Sequence, residues 1–120
     1  MAKQTEITNK IRLAQAQGCE FGICPTILSE LFYAIYNSRK RQQNFARLQE
    51  LQDSVILWPF DKAVAEEVGI IRFEQKSKGR PIPYPDMQIA AVCRVNNFTL
   101  LTADRHFSFV ENLKQENWLT

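Results

Sequence analysis

Apolar positions along this chain follow two periods, and the changes of period mark out its elements. Ile7, Ile11 and Ala14 recur at helical spacing, which predicts an amphipathic helix over 5–17 with Thr5 or Thr8 as its cap. Residues 21–25 form a short apolar run bounded by Gly22 and Pro25, as expected of a buried strand. From Thr26, read as an N-cap, Ile27, Leu31, Ala34 and Ile35 form one stripe and predict a helix to about Asn37. The polar stretch SRKRQQNFARLQELQ carries apolar residues only at Phe45, Leu48 and Leu51, which predicts a more exposed helix. Residues 55–58 read as a second buried strand, closed by Pro59. Asp61 then caps a helix carrying Val64, Val68 and Ile71, which ends near Lys78 with Gly79 in the position just past the helix. A stiff proline loop occupies 80–85, and 86–96 is a helix apolar almost all round, hence deeply buried. Residues 98–101 read as a third buried strand and 115–118 as a short fourth.

Helices alternating with short apolar strands predict an α/β layer fold with a mainly parallel sheet flanked by helices. In such a sheet, helices begin at the edge where strands end, and ligands sit outside that edge. Glu30 lies in the first turns of the helix after strand 21–25, and Asp104 follows strand 98–101 closely. Asp86 opens the helix that runs back into that same strand, directly after the three prolines of PIPYPDMQIAA. The topology therefore predicts that Glu30, Asp86 and Asp104 converge at one edge. A carboxylate cluster of this kind suits a hard divalent cation, Mg²⁺ or Mn²⁺, which activates water and stabilises charge on a phosphoryl group. Each acid also has a plainer reading: Asp86 as a helix start, Glu30 as a complement to the helix dipole, Asp104 as a turn residue. Of the 13 acids, Glu66, Glu67, Glu74, Glu111 and Glu116 are expected to be solvated.

At 120 residues the chain is read as a single domain over 1–120. A net charge of +2 neither requires nor excludes a nucleic-acid partner. MAKQTEITNK lacks the apolar core of a signal peptide, and no apolar stretch is long enough to span a bilayer. Cys19, Cys24 and Cys93 lack metal-ligand spacing; Cys24 and Cys93 read as small buried hydrophobes in a reducing cytoplasm. His106, the single histidine, has no Ser or Cys partner in a nucleophile motif, and no Gly-rich phosphate loop is present.

PTILSEL at 25–31, LWPFD at 57–61, KGRPIPYPDMQIAA at 78–91, TLLTADRHF at 99–107 and ENW at 116–118 together closely resemble PIN-domain proteins, nearest to the VapC-type toxins of toxin–antitoxin pairs. The resemblance implies a Mg²⁺- or Mn²⁺-dependent endoribonuclease, acting as a homodimer and inhibited by a cognate antitoxin. Glu30, Asp86 and Asp104 match the family's acidic positions, and Thr102 matches a hydroxyl beside its metal site. The chain departs from the family at its front. Nothing upstream of Gly22 resembles the family's first strand with its Asp, so the domain reads as N-terminally truncated relative to the family, with Glu6 a poor substitute. The alternative is therefore a catalytically impaired PIN-like module that binds an antitoxin or oligomerises. For RNA phosphates, the basic candidates are Arg80 and Lys78 beside the proline loop and Arg39 and Arg41 in SRKR, with a solvated charged face as the equal alternative; Tyr84 is a candidate for base stacking.

Overall fold

The computed structural model describes residues 2–118, with side chains described from residue 9 onward. Its elements run α1 (Ala2–Ala16), β1 (Gly22–Ile23), α2 (Pro25–Tyr36), α3 (Arg41–Ser54), β2 (Ile56–Leu57), α4 (Lys62–Ser77), α5 (Tyr84–Asn96), β3 (Thr99–Leu101), a short 3-10 helix η1 (Arg105–Phe109) and β4 (Lys114–Glu116). Backbone contacts divide the chain into two compact units, the first ending at Trp58 and the second beginning at Pro59.

In the first unit, α1 already begins at Ala2, so Thr5 and Thr8 lie inside the helix and not at its head. The side chains of Thr5, Glu6, Ile7 and Thr8 lie outside the described residues. The head of α2 is also corrected: Cys24 is the N-cap and Pro25 occupies the first turn, while Thr26 is already helical. Proline suits that place because its missing N–H would have no intrahelical partner there. β1 and β2 pair in parallel, Gly22 opposite Ile56 and Ile23 opposite Leu57, with Phe21 O and Ile23 O accepting from Ile56 N–H (2.9 Å) and Trp58 N–H (2.8 Å). α3 is the exposed helix its composition predicts, with Leu48 buried and Phe45 edge-on to Tyr36 at 5.4 Å. Between α2 and α3 lies an apolar groove of about 290 Å³ lined by Leu31, Ala34, Ile35, Leu48 and Leu51, with Arg47 at its side.

Gly22 is required by a close approach within this unit. A Cβ at that position would meet the Trp58 indole and lie 3.0 Å from Ile56 O. Gly22→Ala is expected to cost about 1–3 kcal/mol, the range for overpacking a filled site. Urea unfolding followed by tryptophan fluorescence checks it, and an unchanged midpoint would refute the steric account.

The second unit is organised around α4 packed on α5. Val64, Val68 and Ile71 on α4 face the core with Met87 and the continuous run Ile89, Ala90, Ala91, Val92 and Cys93 on α5, as the apolar sequence requires. Asp61 caps α4, its Oδ1 accepting from Val64 N–H at 3.0 Å. The helix ends at Gly79 with φ +66°, a left-handed conformation in which glycine has no Cβ penalty. There Gly79 N–H donates to Lys76 O (3.1 Å) and Arg80 N–H to Gln75 O (2.9 Å), satisfying carbonyls the helix leaves open. α5 closes the same way on Asn97, φ +59°, with Phe98 N–H donating to Cys93 O (2.8 Å).

β3 and β4 pair in parallel from Thr99 opposite Lys114 to Leu101 opposite Glu116. All described strand pairing is parallel, as expected, and takes the form of two separate two-stranded sheets. The expected full burial of the strands is corrected. Ile56 and Leu57 are exposed, and within β3 only Leu100 is buried. A strand with a single neighbour keeps an open edge, so an apolar run alone does not ensure cover on both faces. Glu67 and Glu74, expected to be solvated, are instead held by Arg94 of α5 at 2.7 and 2.8 Å. No helix among the described residues is long and apolar enough to cross a membrane.

Candidate metal centre at the end of β3

Two pieces of local structure present the acids of the second unit. The loop after α4 leads through Ile82, which is buried, into Pro83, the N-cap of α5. The helix therefore starts at Tyr84, not at Asp86; Asp86 lies within the first turn, its N–H donating to Pro83 O at 3.0 Å. Pro83 holds the N-cap place, so the capping role expected of Asp86 is not taken up, and its carboxylate faces His106 and Asp104. The prolines still fix its direction, since their restricted φ limits the paths by which the chain can enter the helix.

The second piece follows β3. Thr102 N–H extends the ladder to Glu116 O at 3.0 Å, and the Thr102 hydroxyl accepts from Asp104 N–H at 3.0 Å. Asp104 then caps η1, its Oδ1 accepting from His106 N–H at 2.9 Å. The turn reading of Asp104 and the site reading thus hold together, because a carboxylate that caps its own turn is held in a fixed position.

Asp86, Asp104 and His106 meet here. Each offers one ligand atom, and these atoms all lie within 4.8 Å of one another. His106 Nδ1 stands 3.5 Å from Asp86 Oδ2 and 3.4 Å from Asp104 Oδ1. The Asp86 side chain is 18% exposed, against 45% for Asp104 and 51% for His106, so the site opens to solvent on the Asp104 side. Burial, and next the negative charge of Asp104, push the Asp86 carboxyl above the usual aspartate range, while the His106 hydrogen bond and charge pull the other way. An ion with oxygen and nitrogen ligands at about 2.0–2.6 Å spans ligand atoms up to roughly twice that far apart, so this donor set fits one divalent cation. A cation there would also relieve the repulsion that Asp86 and Asp104 exert on each other.

Of the other residues expected from sequence, Thr102 is found beside the acids, as just described. Glu30 lies on α2 in the first unit and is exposed. Lys78 Nζ donates to Phe109 O at 2.7 Å and stands 3.8 Å from Glu111. The Arg80 guanidinium lies 4.8 Å above the Phe109 ring. Arg41 Nε donates to Tyr36 O at 2.9 Å, and Arg39 is exposed in the turn before α3. His106 was not among the expected site residues. The signal that points to it is its spacing: a histidine two residues after an acid that caps a turn is carried back to that acid.

The PIN domain family matches residues 5–113, a span that includes parts of both units. A protein named Ribonuclease VapC2 from Rickettsia felis is 30% identical over 104 residues, covering 86% of this chain and 78% of its own length. Among solved structures, VapBC2 from Rickettsia felis bound to a DNA fragment from their promoter matches with a TM-score of 0.88 and 29% identity, over 95% of this chain and 86% of that one. DNA-bound VapBC from Salmonella typhimurium gives a TM-score of 0.86 at 24% identity, over 94% and 84% of the two chains, a likeness of fold.

Proposed function

The chain belongs to the PIN-domain family, and on that footing we propose that it is a metal-dependent endoribonuclease, the toxin of a toxin–antitoxin pair. The observation that carries this reading is the meeting of Asp86, Asp104 and His106 just past β3. Asp86 and Asp104 would hold a Mg²⁺ or Mn²⁺ ion; a catalytic role for Glu30, on α2 of the first unit, is carried by the family resemblance alone. When bound, such an ion activates water and offsets the charge that builds on the phosphoryl group.

The chain's own residues do the positioning. Thr102 anchors the Asp104 backbone, so that Asp104 need not reorganise when the cation arrives. Pro83 and Pro85 direct Asp86. His106 Nδ1 stands against both carboxylates and links Asp86 to Asp104 across the site. Arg39 and Arg41 are exposed and contact RNA phosphates, and Arg80, also exposed, contacts the RNA. Lys78 is held by Phe109 O and Glu111 and contributes positive charge from that fixed place. The likeness to VapBC structures supports a protein antitoxin as partner; a homodimeric toxin in the cytoplasm is part of the same proposal and rests on the family resemblance alone.

The test uses purified protein and a mixture of labelled single-stranded RNAs. Cleavage is expected with Mn²⁺ or Mg²⁺ and is lost on chelation. Folded protein that takes up Mn²⁺ yet leaves every RNA intact would refute the ribonuclease reading. A second measurement isolates the ion. Mn²⁺ at a hundred times its Kd contributes about 2.7 kcal/mol to stability. That is a Tm gain of roughly 10 °C for a chain of this size. Asp104→Asn is expected to remove most of the gain; a variant with the full gain would place the ion elsewhere.

A further inference from the structure

The second unit also carries an exposed stack that the acidic site does not use. Arg80 lies with its guanidinium carbon 4.8 Å above the Phe109 ring. Both residues are exposed, although Phe109 stands between the buried Phe107 and Val110. A pair of this kind at the surface contributes only about 0.5–1 kcal/mol to folding. The structure nevertheless holds it from both sides. Gln75, fully buried, donates from Nε2 to Arg80 O at 2.9 Å, and its Oε1 has no partner among the described residues. Lys78 Nζ donates to Phe109 O at 2.7 Å. A buried amide with an unmet oxygen is a cost, and what it fixes is the backbone of Arg80. Among the described residues no carboxylate pairs with Arg80, so its planar fork of donors stays open.

The location is informative. Phe109 ends η1, whose cap is Asp104. Five steps of 3-10 helix rise about 10 Å. That is about three nucleotides along a stacked strand. We infer that Arg80, stacked on Phe109, forms a platform for one unpaired nucleotide of the RNA, base plane on guanidinium plane, a few nucleotides from the bond that is cut. This rests on the ribonuclease reading and adds a substrate-binding contact to it. Arg80 and Phe109 are the binding residues, and Gln75 is a positioning residue. Bases unstacked from a single strand are commonly held on arginine planes and aromatic rings in this way.

The test compares wild type, Arg80→Lys and Phe109→Leu on a 12-nucleotide single-stranded RNA of mixed sequence with Mn²⁺, and on a set of the same RNA in which one nucleotide at a time is abasic. Arg80→Lys keeps the charge, touches no buried group and loses the plane. Each variant is expected to lower kcat/KM about tenfold, mainly through KM, the loss of roughly 1.4 kcal/mol of stacking. One abasic position should cost the wild type the same factor and cost Arg80→Lys nothing further. If Arg80→Lys matches wild type, charge alone is being used and the platform is refuted. If both variants are slower but no abasic position closes the gap, the pair is structural and the platform is refuted likewise. In both cases wild-type cleavage leaves the ribonuclease reading intact. Absence of cleavage by folded wild type refutes both.

Discussion

Asp86→Asn is expected to reduce RNA cleavage by about a thousandfold or more, corresponding to roughly 4 kcal/mol of transition-state stabilisation, while making the metal-free protein more stable. The loss follows from removing a charged ligand from a site whose ligand atoms lie within 4.8 Å of one another. The gain follows from the cost of ionising Asp86. Burial and Asp104 raise its pKa above the ordinary 3.8, so the folded protein binds that proton more tightly than the unfolded chain. Stability therefore falls as pH rises from 3.8 through the raised folded value, and the full penalty is present above it. Asparagine carries no such penalty. The Tm of Asp86→Asn in chelator should exceed wild type at pH 7, and the difference should vanish toward acid pH, as read by circular dichroism. A lower Tm at pH 7 would show that the contact with His106 outweighs the burial and repulsion. Activity equal to wild type would show that the reaction does not use the Asp86 carboxylate.

Arg94→Met is expected to cost about 3 kcal/mol without touching the acidic site. Arg94 is 11% exposed and binds Glu67 Oε1 at 2.7 Å and Glu74 Oε1 at 2.8 Å, with Nη1 also 3.4 Å from Glu111 O. Methionine fills much of the same volume, so the loss isolates the charge. What remains is a partly buried carboxylate on Glu67 and a more exposed one on Glu74, both without their cation. Removing one partner of a buried pair costs about 3–5 kcal/mol. The lower end applies because Glu74 is 36% exposed and solvent screens it. Urea unfolding measures the effect. Adding Glu67→Gln and Glu74→Gln to Arg94→Met should recover more than half of the loss. If the triple variant is no more stable than Arg94→Met, lost packing and not stranded charge explains the cost.

The elements that were legible in the sequence are those whose cause is local. Asp61 and Gly79 bracket α4 because a carboxylate cap and a left-handed glycine act within a few residues of themselves. The run Ile89–Cys93 is buried because no face of that helix is polar. Asp86 and Asp104 were legible as a pair because helix and strand order alone bring them to one end of β3. The start of α5 was misread by one half-turn, since Pro83 takes the cap position and Tyr84 and Pro85 fit the first turn. Only half of the His106 contact was legible: its approach to Asp104 is local, while its contact with Asp86 joins residues 20 positions apart through the packing of η1 near α5. Glu67 and Glu74 looked solvated for the same reason: their partner is on the next helix. Strand burial was overestimated because an apolar run records what a strand tolerates on its faces and says nothing about its neighbours.

The connection from β3 to β4 has a consequence for folding. It is only residues 102–113, near the minimum for a parallel crossover. Asp86, Thr102, Asp104 and His106 all lie within residues 84–106, on a helix, the strand it leads into and the turn that follows. Their assembly has low contact order. The chain entropy lost in closing so short a segment is small, and the pairing that fixes Asp104 need not wait for distant strands to find each other. The acid pair is therefore expected to form among the earliest tertiary features of its unit.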